Sequence, residues 1–562
     1  MRKYFILGSI LVVLLNLFVG FIYPAIWWSA IFWVPILALG IHDMFQVKHA
    51  ILKNFPIVGH FRYILEAIRP EINQYFIESN IDGKPFAREQ RAIVYQRAKK
   101  VSQALPFGTQ RELYQVGYEW VQHSINPIHP DADQYLKYRV KIGGSDCKKP
   151  YHASLLNISA MSYGSLSKNA VLALSGGAKI GQFYHNTGEG GISPHHIEGG
   201  ADLVWQIGTG YFGCRDQQGK FSLEHFREKA NWDQVKMIEI KLSQGAKPGH
   251  GGILPALKLT EEIAKIRNVP LGQDVISPPG HSAFTTPLEF IDFIKLLRIN
   301  SGGKPIGFKM CLGSPHEFVS ICKAMMEKNT YPDFITLDGG EGGTGAAPLE
   351  FSNYVGWPLV DALIFVTNVL KGYDLKKRIK LIVSGRIITG FDIVTKISLG
   401  ADLCNSARGM LFSIGCIQAL RCHTNKCPTG ITTQDPWLVP GLVVGDKRGR
   451  VANFQSETLR SLFDVLGAMG IRSPEELRPH HLMRRIEPTV VKDYSQIHQF
   501  VEDGSFLRGI IPKHYDRPIR ESQSTSFGKI KISKNENDFD IESDSKEKVN
   551  STSQRPHLKV VG

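Results

Sequence analysis

Between residues 155 and 407 short apolar runs alternate with longer stretches whose apolar residues recur every three or four positions. The runs at 155–161, 182–186, 203–208, 237–242, 306–312, 334–337, 381–384 and 403–407 read as strands, and the stretches at 167–178, 256–266, 287–297, 315–328, 357–370 and 391–399 read as helices. Parallel strands need a crossover of a dozen or more residues, usually a helix. About eight such units in succession predict an α/β chain closed into a (β/α)8 TIM barrel, whose chemistry belongs at the C-terminal ends of the strands.

Four glycine-bearing segments follow predicted strands: AMSYGS at 160–165, DGGEGGTGAAP at 338–348, SGR at 384–386 and SARG at 406–409. Backbone N–H groups in such loops make an anion cradle, although a tight turn is the plainer reason for any one glycine. No G-x-G-x-x-G follows a strand and opens a helix, so no nicotinamide domain is expected. NTGEGG at 186–191 puts Glu189 directly after a strand, and KLSQGAKPGHGG at 241–252 puts Lys241 at a strand end with Gln244 and Lys247 beyond. Two ammonium groups beside an amide suit a dicarboxylate, because each carboxylate needs charge-assisted hydrogen bonds to offset lost hydration. Arg267 adds a bidentate fork. A surface ion pair is the plainer reading of each residue taken singly.

GCIQALRCHTNKCPTGITTQD at 415–435 holds Cys416, Cys422 and Cys427. Three thiols in one turn-rich loop can converge on an iron–sulfur cluster. Zinc competes, since His423 completes a Cys3His set, but structural zinc usually sits on paired knuckles that this spacing lacks. Three separate buried cysteines are the third reading. With eight cysteines in all and no cleavable signal pattern, the chain reads as one from a reducing compartment.

The formal charge is +14, yet no run of five basic residues and no aromatic-interleaved basic motif occurs, so an anionic lipid or substrate explains it better than nucleic acid. Residues 4–41 carry no charge and divide at Tyr23-Pro24 into two segments, each near the length of about 20 residues that crosses the hydrocarbon core. Arg2 and Lys3 precede the first, Lys48, Lys53 and Arg62 follow the second, and Trp27, Trp28 and Trp33 supply interfacial rings. The expectation is a two-pass hairpin in the cytoplasmic membrane with both ends and the catalytic domain in the cytoplasm.

The expected organisation is an anchor at 1–47, a helical adaptor at 48–149, the barrel with its cysteine loop at 150–440, a helical extension at 441–520 and a disordered tail at 521–562.

The cysteine run, Pro428, Gly430 and the TQDP at 433–436 resemble the FMN-binding synthase domain of glutamate synthase, where C-x5-C-x4-C-P-x-G followed by TQDP holds a 3Fe-4S cluster beside the flavin. The likeness is strong over 157–435, and the flanks look like those of stand-alone, membrane-anchored family members. The resemblance implies an FMN- and iron–sulfur-dependent oxidoreductase that reduces 2-iminoglutarate, formed from 2-oxoglutarate and ammonia, to L-glutamate. Electrons would come from an external donor, a ferredoxin or a reductase subunit.

The same resemblance assigns Glu189, Lys241, Gln244 and Arg267 to the substrate, and Cys416, Cys422 and Cys427 to the cluster. Met161, Ser162, Lys247 and Lys309 would border the flavin ring. Gly339, Gly340, Gly342, Gly343 and Thr344, with Ser384, Gly385, Arg386, Ala407, Arg408 and Gly409, would line the remainder of the cofactor site. His250 and Ile253 depart from the long-chain members, which carry Glu and Gln there. These departures favour a second reading, in which the same cofactors serve another imino or amino acid such as an N-methylglutamate-type product. A third makes the chain a non-catalytic membrane electron-transfer or scaffold subunit. The chain shows neither an N-terminal cysteine nucleophile nor a glutaminase domain, so ammonia is expected from elsewhere.

Overall fold

The computed structural model describes residues 1–131 and 133–530. Residues 531–562, most of the polar tail expected to be disordered, lie outside the described residues. Backbone proximity divides the chain into two units, one from Met1 to Arg91 and one from Ala92 onward.

In the second unit eight parallel strands pair in sequence order and close: β1 Leu156–Ile158, β2 His185–Asn186, β3 Leu203–Ile207, β4 Val235–Lys241, β5 Ile306–Cys311, β6 Phe334–Asp338, β7 Lys380–Ser384 and β8 Leu403–Ser406. The last pairs with the first through Asn405 opposite Asn157. All eight predicted strands are present, each within a few residues of its expected bounds. Strands covered on both faces have no solvent side, and β3, β5 and β6 are buried at every position.

The intervening helices start where local chemistry satisfies their first N–H groups. Ser167 accepts from Ala170 ahead of Lys168–Gly181, and capping boxes at Thr286/Glu289 and Thr389/Asp392 open Pro287–Asn300 and Gly390–Ser398. The helix Val444–Ala468 packs on Lys168–Gly181 at Gly177, where a Cβ would sit 2.7 Å from the Arg448 carbonyl. Its Gln455 amide donates to Ser154 Oγ at 2.8 Å beside the start of β1.

The barrel interior is crossed by one buried carboxylate. Glu239 of β4 accepts from Asn186 (2.8 Å), Gln206 (2.6 Å) and Thr336 (2.5 Å), so one acid joins four strands. A charge removed from water persists only when its lone pairs are filled in this way.

The segments flanking the barrel meet each other. Leu482–Glu487 pairs antiparallel with Glu119–Val121 on one side and Val490–Asp493 on the other. At 521–530 the chain continues against the barrel, with the Phe527 carbonyl 3.1 Å from His316 Nε2.

In the first unit, helix Arg2–Ile22 ends at the expected Tyr23-Pro24 break, a six-residue 3-10 segment, Pro24–Ser29, follows, and helix Ala30–Phe45 completes a pair. Both segments, Arg2–Ile22 and Pro24–Phe45, are long and apolar enough to cross a membrane.

Candidate active site at the C-terminal mouth of the barrel

β4 ends on Lys241, and parallel register sets Lys309 of β5 beside it. The Lys241 ammonium donates to the Glu189 carboxylate at 2.8 Å and to Gln244 Oε1 at 3.0 Å. Glu189 reaches it from the loop after β2 because glycine lies on both sides: a Cβ on Gly252 or on Gly208 would press into its side chain. Burial alone pushes the Glu189 carboxyl up, but Lys241, through charge and hydrogen bond, then Arg267 and Lys247, outweigh it and hold it below the usual value. Lys247 is itself buried and lowered by desolvation, opposed by Glu189.

Arg267 ends a helix but turns inward. Its guanidinium lies over the Phe212 ring at 5.1 Å and donates to the Tyr163 carbonyl at 3.0 Å, while its Nε is buried with no partner. Burial lowers the group to about 10, with Glu189 pulling the other way. A desolvated guanidinium with an unused donor is arranged for an anion.

Lys309 donates to Asp338 Oδ2 at 2.9 Å, and the Gly245 N–H shares that oxygen at 3.2 Å. Burial would push Lys309 down, but Asp338 and Glu239 hold it above its ordinary value. The loop after β6 comes so close to the loop after β4 that a side chain on Gly245 would overlap the Gly339 carbonyl. Arg408 donates to the Glu341 carbonyl at 2.7 Å, and a Cβ on Gly343 would stand 2.7 Å from its Nε. Burial lowers Arg408 to about 10, and Arg386, held at φ +51° after β7, adds to the lowering. Arg386 and Arg408 thus bring two like charges to the loops after β7 and β8. Ser384 meets Ser159 across the sheet at 3.1 Å. Met161 and Ser162 back onto the Glu189 loop, where a Cβ on Gly188 would lie 2.6 Å from the Ser162 nitrogen. Gly340, Gly342, Thr344, Gly385, Ala407 and Gly409 lie in or beside the loops after β6, β7 and β8.

The structure adds residues that no periodicity points to. His281 Nε2 lies 2.9 Å from the Lys241 carbonyl, and its Nδ1 lies 3.1 Å from the Tyr211 hydroxyl. A carbonyl only accepts, so Nε2 carries the proton and Nδ1 accepts from Tyr211, whose oxygen in turn accepts from the Ala283 N–H at 3.0 Å. Burial takes the His281 ring down to about 4, so it stays neutral and anchors the strand end that carries Lys241. Its only sequence signal is the PPGH run at 278–281. The two departures face other neighbours: His250 bonds the Gly251 carbonyl and meets the Phe351 ring edge-on at 5.2 Å, and Ile253 pairs with Ile276 in a short ribbon.

The cysteine loop is seated on the loop after β1. The Lys258 ammonium donates to the carbonyls of Cys422 (2.6 Å) and Thr432 (2.7 Å), and Gln434 donates to those of Gly164 (3.1 Å) and Leu166 (2.8 Å). The Tyr95 hydroxyl donates to the Cys416 carbonyl at 2.6 Å. Among the described residues no group of three or more His, Cys, Asp or Glu side chains is arranged to hold a metal ion.

Residues 115–472 match the family described as the conserved region in glutamate synthase. The glutamate synthase large subunit-like protein YerD of Bacillus subtilis (strain 168) is 40% identical over 500 residues, covering 82% of this chain and 95% of that one. The archaeal-type glutamate synthase [NADPH] of Thermotoga neapolitana is 34% identical over 321 residues, 57% of this chain, and the match spans only 60% of that protein. Among solved structures, a mutant flavocytochrome b2 with benzoylformate aligns with a TM-score of 0.40 at 13% identity, covering 85% of this chain and 96% of that one. The match of the family over most of the chain, together with the nearly full-length Bacillus relative, means that this chain belongs to the glutamate synthase family of oxidoreductases.

Proposed function

We propose that the barrel mouth binds FMN and a 2-oxo acid and reduces the imine of 2-oxoglutarate and ammonia to L-glutamate. The observation that carries this reading is the largely shielded Glu189–Lys241 pair with the unpartnered Arg267 Nε beside it, at the end of the barrel where catalysis belongs. Bound FMN supplies hydride chemistry. Its fit is supported by the Lys309–Asp338 pair beside Lys241, the close glycine loops, and the like charges of Arg386 and Arg408 in the loops after β7 and β8, which would hold the phosphate.

Arg267 and Lys241 would clamp the two substrate carboxylates, with Gln244 sharing Lys241 and Lys247 adding charge. Glu189 would take up and return the proton that leaves and rejoins nitrogen as the imine forms and is reduced. Its value below the ordinary carboxyl range keeps it ionised in the resting site. His281 keeps the Lys241 end of β4 in place.

Cys416, Cys422 and Cys427 are proposed as ligands of an iron–sulfur cluster that exchanges single electrons with an external donor. This rests on their spacing and on the seating of their loop by Lys258, Gln434 and Tyr95. The two apolar N-terminal helices are proposed to anchor the chain in the cytoplasmic membrane, with the barrel in the cytoplasm.

The test is anaerobic reduction of the purified flavoprotein followed by mixing with 2-oxoglutarate and ammonium. Flavin reoxidation with glutamate formed is expected, and reoxidation by neither substrate pair would leave a scaffold role. The second reading is favoured by His250 beside Phe351, an aromatic wall where the long-chain members carry an acid. Faster turnover with methylamine than with ammonium would establish it.

A further inference from the structure

Helix His60–Ile72 of the N-terminal unit buries none of its residues. Phe61, Ile64, Leu65 and Ile68 are 65%, 54%, 56% and 43% exposed, and with Ile72 they fall within ~100° of the helix circumference. Arg62, Glu66 and Pro70 occupy the opposite side. The turn that follows, Asn73–Ile77, adds exposed Tyr75, Phe76 and Ile77. A contiguous apolar stripe of this kind marks an interaction surface.

Its placement says what covers it. Asp43, in the last turn of Ala30–Phe45, is wholly buried and accepts from the Ile57 N–H at 2.9 Å. Both its carboxylate oxygens also lie 3.0 Å from His60 Nε2. One carboxylate thus staples the first residue of the amphipathic helix to the end of the second apolar helix. If that helix crosses the bilayer, the staple holds His60–Ile72 where hydrocarbon gives way to headgroups. Lys48, Lys53, Arg62 and Arg69 lie in this same stretch of the chain, suiting anionic headgroups.

We propose that His60–Ile72 lies in the plane of an anionic lipid surface, with Phe61, Ile64, Leu65, Ile68 and Ile72 sunk into it by about 5–10 Å. This rests on the membrane reading of the two apolar helices. The test uses full-length protein in phosphatidylcholine–phosphatidylglycerol vesicles, with an environment-sensitive fluorescent amino acid placed singly at Leu14, Phe61, Leu65, Ile68 or Glu66. Brominated acyl chains should quench the probe at Leu14, Phe61, Leu65 and Ile68, and aqueous iodide should quench it at Glu66. Lipid quenching at Leu14 with iodide quenching at Phe61, Leu65 and Ile68 overturns the proposal and leaves the anchor standing. Iodide quenching at Leu14 overturns the anchor and this inference with it. Shielding of the stripe from both quenchers, with cross-linked dimers, assigns the face to a second copy of the chain and also overturns it.

Discussion

The Glu189 carboxylate, in the loop after β2, accepts a hydrogen bond from the Lys241 ammonium at the end of β4, 2.8 Å away. The pair is largely shielded from water, so its Coulomb attraction is weakly screened, and each charge depends on the other. Lys241→Ala should therefore raise the dissociation constant for 2-oxoglutarate while FMN stays bound. Losing one partner of a desolvated charged pair costs on the order of 2–5 kcal/mol. Titration of flavin absorbance with the oxo acid measures it, and unchanged affinity with normal turnover would mean that the substrate sits elsewhere.

Gly252→Ala tests the same pair from the other side. A Cβ there would overlap Glu189 Oε1 and push the carboxylate off Lys241. A shift of about 1 Å in a reacting group costs up to ~10²-fold in rate. The expected outcome is a fall in kcat at unchanged FMN content; full activity would remove Glu189 from the chemistry.

His281 predicts a pH signature. Its value of about 4 in the fold lies below the unfolded value, so the unfolded chain binds the proton first as pH drops. The neutral ring's contribution is complete above pH ~6.5 and is lost as pH falls through about 4, with a size on the order of 2 kcal/mol after discounting for its partial solvent contact. Urea denaturation of wild type and His281→Gln should show a shallower stability loss over that window in the variant. Parallel curves would place the slope on other groups.

Cys422→Ser should abolish bound iron while leaving the fold intact, because Lys258 holds the carbonyl of Cys422 and needs no thiol. Iron content, FMN content and thermal midpoint are read on one sample. Normal activity with a physiological donor in iron-free protein would make the cysteines structural.

Deleting residues 1–77, which removes both apolar helices and the apolar stripe of His60–Ile72, should yield a soluble, yellow, cofactor-loaded protein, since every strand of the barrel lies beyond Ala92. Retention of the truncated chain in washed membranes would place the attachment elsewhere.

Local patterning lays out the barrel. Its strands and helices are announced by local apolar periodicity, and parallel order follows from the crossovers, so all eight strands were legible, as was the break at Tyr23-Pro24. Glu189, Gln244 and Lys247 stand out as candidates because each lies in a glycine-rich segment after a strand, and Lys241 because it ends one. Tertiary structure alone decided what those residues touch. That Glu189 meets Lys241, that Glu239 is shared by four strands, and that His281 and Tyr211 brace Lys241 depend on closure of the barrel, which joins side chains far apart in sequence. The pairing of Glu119–Val121 with Leu482–Glu487 was hidden for the same reason: a strand's partner is chosen by hydrogen bonding across space, and a three-residue segment carries no local record of it.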